Sequence, residues 1–416
     1  MNKRMAIADR PWIAVFTATA VLVVVGGSVA NTYGFLAIHW METLGVSRGR
    51  ILLAGVLGTQ LAGVLGILTG RVLAAGISER VLLAAGAAAG ATAFLILAWA
   101  SSLWAIFAAY LIFGSAAITL TSQLVGQSRA ARTFTSPGLA LSVVSLGMKG
   151  GAAFMPVIIA LLLKSLEFHQ ALLTMAVIMA ACVPLIWILV PPVRTTAATP
   201  IDKALPLDTP APILSARQIL TDPVFIGIIC IALGVMAISA ALYINLPFLV
   251  VELGGDVAWA AYILAAATLF SAAITPFVGM ATDRIDLRLL LAVPVVLVAI
   301  VIGIVSLSPG LPLIAVAAFA MTFSNAFLFP CFPAVLRSRF GVAAFPKVLG
   351  LSQPFYFGAS LGAFAGGALR DIVGSYALAF QLLSVLVLLA AGGFMIIAFS
   401  LKPRSDVLAH SDASLR

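Results

Sequence analysis

Lys149 is the residue in this chain whose chemistry is hardest to account for by packing. It stands alone as a charge in the apolar stretch from Gly138 to Leu163. At about 1.5 Å per helical residue it lies roughly 17 Å from the start of that stretch, half-way across a hydrocarbon core of about 30 Å. A cation at that depth costs on the order of 2.5 to 3.5 kcal/mol. Every Asp and Glu of the sequence falls in a tail, in a loop or near the end of an apolar stretch. An anion is therefore the partner to look for, and the flexible ammonium suits a carboxylate as a point charge. The run Gly147-Met148-Lys149-Gly150-Gly151 lets a helix or a ligand come close. The structural alternative is a lysine bonded to carbonyls at a broken helix, solvated in a polar cavity, or partly neutral through desolvation. Snorkelling covers only part of the distance to either interface.

Other polar side chains sit in apolar stretches at matching places. Asn31 and Tyr33 near the end of the first answer, at one common offset, to Tyr243 and Asn245 in the seventh. Such groups can hydrogen-bond a carboxylate or hydroxyl in an otherwise apolar pocket; bonds between helices are the equal alternative. Asn325 and Tyr356 fall near mid-depth, Gln353 and Gln123 nearer the cytoplasm. His39 and Glu42 close the first stretch and read as interfacial before they read as a proton relay. With no carboxylate at depth, proton coupling would run through Lys149 or the substrate itself, and exchange or uniport stay open.

Catalysis finds little support. Gly358-Ala359-Ser360-Leu361-Gly362 fits G-x-S-x-G but lies in an apolar stretch rather than at a strand-to-helix turn, so it reads as helix packing. No HExxH, phosphate loop or metal-spaced His/Cys set occurs. Cys182, Cys230 and Cys331 are scattered through apolar segments and read as small core residues. No metal and no cofactor is expected. A sensor derived from a transporter is a third class, disfavoured by the short tails.

The elements that position these residues follow from composition. Hydrophobic residues make up 63% and charged residues 9% of 416 positions, with mean hydropathy +1.19, where a soluble domain carries about 25% charge. This predicts a polytopic membrane protein with the lipid bilayer as its partner. The net charge of +9 comes from basic residues dispersed in short loops, which excludes a nucleic-acid footprint. Twelve stretches are long enough to cross, here numbered as spans: 12–37, 51–70, 81–100, 103–127, 138–163, 169–190, 224–250, 258–280, 289–308, 311–336, 347–369 and 377–400. The first follows a basic start with no cleavage pattern and reads as a retained span. With the N-terminus inside, eighteen of the 23 basic residues face the cytoplasm. Only Arg48, Arg50, Lys164 and Arg370 fall outside, so both termini are expected in the cytoplasm of a cell whose inner membrane holds the chain. The Pro-rich segment 191–222 reads as a linker between two six-span halves, 1–190 and 223–400, with a tail over 401–416. Pro11 answers to Pro223, and Arg129 with Arg132 to Arg337 with Arg339, so the halves read as one repeated unit. Repeats of this kind place substrate near the midplane between them.

Gly279-Met-Ala-Thr-Asp283-Arg284, followed by Arg288, resembles the G-x-x-x-D-R-x-x-x-R loop signature of the major facilitator superfamily. The first half carries a decayed copy in Gly66, Gly70, Arg71 and Arg80, with Gly70 in the place of the aspartate. The resemblance covers the whole chain. It implies an all-α fold of twelve transmembrane helices in two pseudo-symmetric halves. It also implies a conformational lock from Asp283, Arg284, Arg288 and Arg71, where the alternative is topology and helix capping. Tyr33-Gly34-Phe35 with Leu44-Gly45-Val46-Ser47-Arg48-Gly49, Arg132-Thr133-Phe134 with Gly138-Leu139-Ala140, and Gly367, Asp371, Gly374, Ser375, Tyr376 and Phe380 are similar to the monocarboxylate transporter and oxalate-formate exchanger branches. Span 8 lacks the charged pair that monocarboxylate carriers keep there, so such a carrier would have moved its cation to span 5. The expected function is transport of a small organic anion, a monocarboxylate first, by a monomer that rocks its halves, with a co-transported proton as an option. Efflux of neutral or amphipathic compounds is the alternative.

Overall fold

The computed structural model describes residues 11–46, 48–191, 214–255, 257–307, 310–358 and 361–400. The linker core 192–213, the tail 401–416, Ser360 of the G-x-S-x-G pattern, and the basic residues Lys3, Arg4, Arg10, Arg194, Lys203, Lys402, Arg404 and Arg416 lie outside the described residues.

Among the described residues, every predicted span falls mainly on helix. Eleven described helices are long and apolar enough to cross a membrane. One of them, Leu311–Gly358, is interrupted at Gly341 (φ 76°, ψ 169°) and so contains span 10 and the first part of span 11; Leu361–Val373 continues span 11. A left-handed φ favours glycine because it has no Cβ to clash. Span 7, Pro223–Glu252, starts from Asp222, whose carboxylate accepts from the backbone N–H of Val224 at 2.9 Å and Phe225 at 3.3 Å. Pro223 at the first helical position completes that start. Large apolar side chains such as Phe277, Leu388 and Phe399 remain on the outside at 67, 72 and 83% exposure, as helices facing lipid require.

The chain divides into two compact units. Unit 1 is Met1–Ile213 with Val342–Pro354; unit 2 is Leu214–Gly341 with Phe355–Arg416.

In unit 1 the helices meet through glycine. A Cβ built on Gly151 of span 5 would lie 2.8 Å from Gly27 Cα of span 1, and one on Gly147 would lie 2.9 Å from Leu22 Cδ2. Gly66 and Gly70 of span 2 meet Gln353 and Gly350 just as closely, at 2.6 and 2.8 Å. Close approach of small residues replaces the hydrophobic effect as the packing force between membrane helices. Spans 1 and 4 each contain a π-helical turn, Leu22–Gly26 and Ala109–Gly114. Span 4 also breaks at Thr121–Ser122 before resuming as Gln123–Thr133.

In unit 2, span 7 packs on the last span through Gly227 against Gly393 and through Gly234 against the Leu386 carbonyl. Gly362 and Gly366 let span 11 approach Ala237 and Asn245 from its other end.

Candidate functional site

Lys149 occupies the middle of Gly138–Ser165 and is half-buried. Gly147, Gly150 and Gly151 face Leu22, Val23 and Gly27 of span 1. Ser142 and Ser145, seven and four residues earlier, share its helix face. Ser145 Oγ accepts from Gln127 Nε2 at 3.1 Å, and both residues are buried. A Cβ on Gly126 would meet Val144. Gln123 is buried, and its Oε1 has no hydrogen-bond partner among the described residues. Spans 4 and 5 thus share a polar contact at Gln127 and Ser145.

The other candidates of unit 1 are engaged locally. Asn31 Nδ2 donates to the Gly27 carbonyl at 3.1 Å, one turn back. Tyr33 is buried, donates its hydroxyl to the Ile51 carbonyl, lies over Gly55 and meets Tyr110 edge-on at 4.3 Å. Gln353 is buried with its stem on Gly66 and donates to the Leu349 carbonyl at 3.2 Å.

Unit 2 brings two candidates together. Tyr243 donates to Thr322 Oγ1 at 2.9 Å, Asn325 Nδ2 lies 3.3 Å from the Tyr243 hydroxyl, and the same amide nitrogen donates to Ser239 Oγ at 3.0 Å. Asn245 is not in this group. It donates to the Ala241 carbonyl at 2.8 Å, accepts from the Tyr376 hydroxyl at 3.4 Å and packs on Gly366. Tyr356 is buried among Phe329, Phe332 and Phe357, with ring centroids 6.1, 6.4 and 6.0 Å away. Sequence reasoning missed Ser239 and Thr322. Their signal was spacing: Ser239 lies one turn before Tyr243, and Thr322 three residues before Asn325, so each pair shares a helix face.

The loop charges sort into two groups. In unit 2, Asp283 faces the charge of Arg337 at the end of span 10. Arg288 pairs with Asp286, the cap of its own helix, at 2.7 Å, and Arg284 is exposed. Arg71 of unit 1 is exposed. The carboxylate of the first half comes from Glu79, 1% exposed, at 3.3 Å from Arg132 and 3.7 Å from Arg129. Arg132 also donates to the Leu73 carbonyl at 2.8 Å and Arg129 to the Pro191 carbonyl at 3.0 Å. Sequence reasoning missed Glu79, because it starts span 3 instead of standing at the motif position taken by Gly70. At the other end of unit 2, Arg370 bonds Glu252 at 3.3 Å; that hydrogen bond, with the Glu252 charge, holds its guanidinium above the usual arginine range.

The family model of the Major Facilitator Superfamily matches residues 18–274. The chain belongs to the Major Facilitator Superfamily. Members of this superfamily are transporters of small molecules rather than enzymes, and this member is a multi-pass membrane protein of that fold. A search of curated proteins finds no match. Among solved structures the chain is similar to the human organic anion transporter MFSD10 (TETRAN), at 15% identity and TM-score 0.65 over 95% of this chain and 100% of that one. It is also similar to FucP in an outward conformation, at 16% identity and TM-score 0.63 over 95 and 100%. The proton:xylose symporter XylE bound to 6-bromo-6-deoxy-D-glucose gives 12% identity and TM-score 0.70 over 94 and 96%. At these identities the likeness is one of superfamily fold.

Proposed function

We propose that this superfamily member carries a small organic anion, a monocarboxylate first, across the inner membrane by alternating access, with both termini in the cytoplasm. The observation that carries the reading is a half-buried lysine held at the middle of a span by three packed glycines. A cation at that depth draws an anion more strongly than it would at an interface, because the field of a charge is less screened in an apolar surround. The Ser145–Gln127 pair adds neutral hydrogen-bonding groups one turn along the helix from Lys149, and Gln123 is a further candidate. Asn31, Tyr33 and Gln353 in unit 1, and Tyr243, Asn245, Asn325 and Tyr356 in unit 2, are the other proposed binding residues. Asp283, Arg284, Arg288 and Arg71 are proposed to bias the access states, with Glu79 added to them here. The fold alone is compatible with other cargo, since one similar structure is named for organic anions and another for xylose.

The test is uptake into proteoliposomes of labelled carboxylates and of neutral compounds of like size, by wild type and Lys149→Gln. Carboxylate uptake is expected to fall at least tenfold in the variant while the protein remains folded. Unchanged carboxylate uptake would remove Lys149 from the site. Neutral compounds carried equally by both proteins would favour efflux of neutral or amphipathic cargo.

A further inference from the structure

Arg80, the last member of the decayed loop copy, stands apart from the Glu79 cluster. It is the second residue of the span 3 helix, Glu79–Ala98, and its side chain crosses to the end of span 6 in the same unit. Its guanidinium carbon lies 3.8 Å from the centroid of the Trp187 ring, and Nη2 donates to the Trp187 carbonyl at 2.7 Å. That carbonyl is available because the residue four places on is Pro191, which has no N–H to continue the helix. Ring and carbonyl together hold the cation in one place.

Charge is the first feature that points to a ligand. Glu79 faces Arg129 and Arg132, and Arg80 pairs with no carboxylate among the described residues. Its Nη1 makes no hydrogen bond among them either and, unlike Nε, is not enclosed. Nη1 and the second hydrogen of Nη2 are therefore open to an acceptor. Location is the second feature. At about 1.5 Å per residue, the 20 residues of the span 3 helix measure about 30 Å, the thickness of the hydrocarbon core. Its second residue thus lies at the boundary where lipid phosphates begin. Around it Val81, Trp187 and Ile188 are 44, 49 and 65% exposed, an apolar outer surface of the kind that acyl chains cover.

A water-soluble anion has nothing to lay against those apolar side chains, whereas a phospholipid brings phosphate and acyl chains in the matching order. We propose that Arg80, seated on Trp187, binds the phosphate of an anionic phospholipid whose acyl chains lie along Val81 and Ile188. The guanidinium fork suits phosphate oxygens. A head group without an ammonium, as in phosphatidylglycerol, is favoured, because choline already neutralises the phosphate beside it. The site is independent of Lys149 and of the cargo.

The test is native mass spectrometry of the detergent-purified full chain, titrated with phosphatidylglycerol or with phosphatidylcholine. Wild type is expected to retain phosphatidylglycerol in preference, and glycerol phosphate at equal concentration is expected not to displace it. Arg80→Gln should weaken retention about tenfold, as loss of a charged hydrogen bond entails. Arg217→Gln removes an exposed arginine from unit 2 and should leave retention unchanged. Trp187→Leu keeps every charge and should weaken it about threefold through loss of the cation–π contact; this variant decides the matter if Arg80→Gln does not fold. Equal retention of the two lipids by wild type would overturn the proposal, as would displacement by glycerol phosphate. Retention unchanged in Arg80→Gln, or lowered as much by Arg217→Gln, would do the same.

Discussion

Single side chains in this protein matter according to whether they can be replaced without leaving an orphan. Tyr243, Thr322, Asn325 and Ser239 form one bonded group. Tyr243→Phe removes one donor and leaves a threonine oxygen that still bonds its own helix through the Ala318 carbonyl. It should cost about 0.6 kcal/mol, the average for such bonds in membranes, and hardly move the melting temperature. Asn325→Leu strips both Ser239 and Tyr243 of a partner, and its loss in thermal stability should be clearly larger. Glu79 is more exacting. Its removal strands two arginines, one of them only 8% exposed, and breaking such a pair costs about 3 to 5 kcal/mol. Glu79→Ala should therefore lower the melting temperature measured by differential scanning fluorimetry more than either change in unit 2. Sequence reasoning picked out Tyr243 and Asn325 because amides and phenols are conspicuous in apolar runs. It passed over Ser239 and Thr322 because a helical hydroxyl can always bond its own backbone. Glu79 escaped because a carboxylate at a helix start looks solvated until the fold buries it.

Helices show where hydropathy is a sufficient guide and where it is blind. All twelve spans were legible, since an apolar run of some twenty residues has one way to satisfy its backbone in lipid. The π turns at Leu22–Gly26 and Ala109–Gly114 and the break at Thr121–Ser122 were not. One extra residue in a turn leaves mean hydropathy untouched, though it rotates every later side chain by about 100°. Glycines separate in the same way. Gly151→Ala places a methyl within 2.8 Å of Gly27 Cα and should cost about 1 to 3 kcal/mol through overpacking. Gly303 in span 9 has nothing within 4 Å of a built Cβ. Gly303→Ala should be neutral or raise stability slightly through helix propensity. Gly341→Ala forces a left-handed φ of 76° on a residue with a Cβ and should cost about 1 to 3 kcal/mol. Melting curves of the three variants under one condition would rank them, and a Gly303→Ala protein as unstable as Gly151→Ala would contradict the contact geometry.

At the scale of the molecule, superfamily membership was legible in the loop Gly279–Arg284 and in the repeat, and the family match over 18–274 establishes it. The orientation rests on loop charge. Reporter fusions after residue 190 and after residue 400 should both read cytoplasmic, with one after Leu166 reading the opposite side; the reverse pattern would invert the topology. Chain order and unit order differ in one respect. Unit 1 includes Val342–Pro354, which seats Gly350 and Gln353 on Gly66 and Gly70 of span 2. On the ribosome, spans 1 to 6 emerge long before that segment exists. The glycine face of span 2 must therefore wait, uncovered, while spans 7 to 10 are made. Any fragment ending at the linker would be born with that face permanently open, and the insertion machinery or a chaperone would have to guard it during the interval in the intact chain.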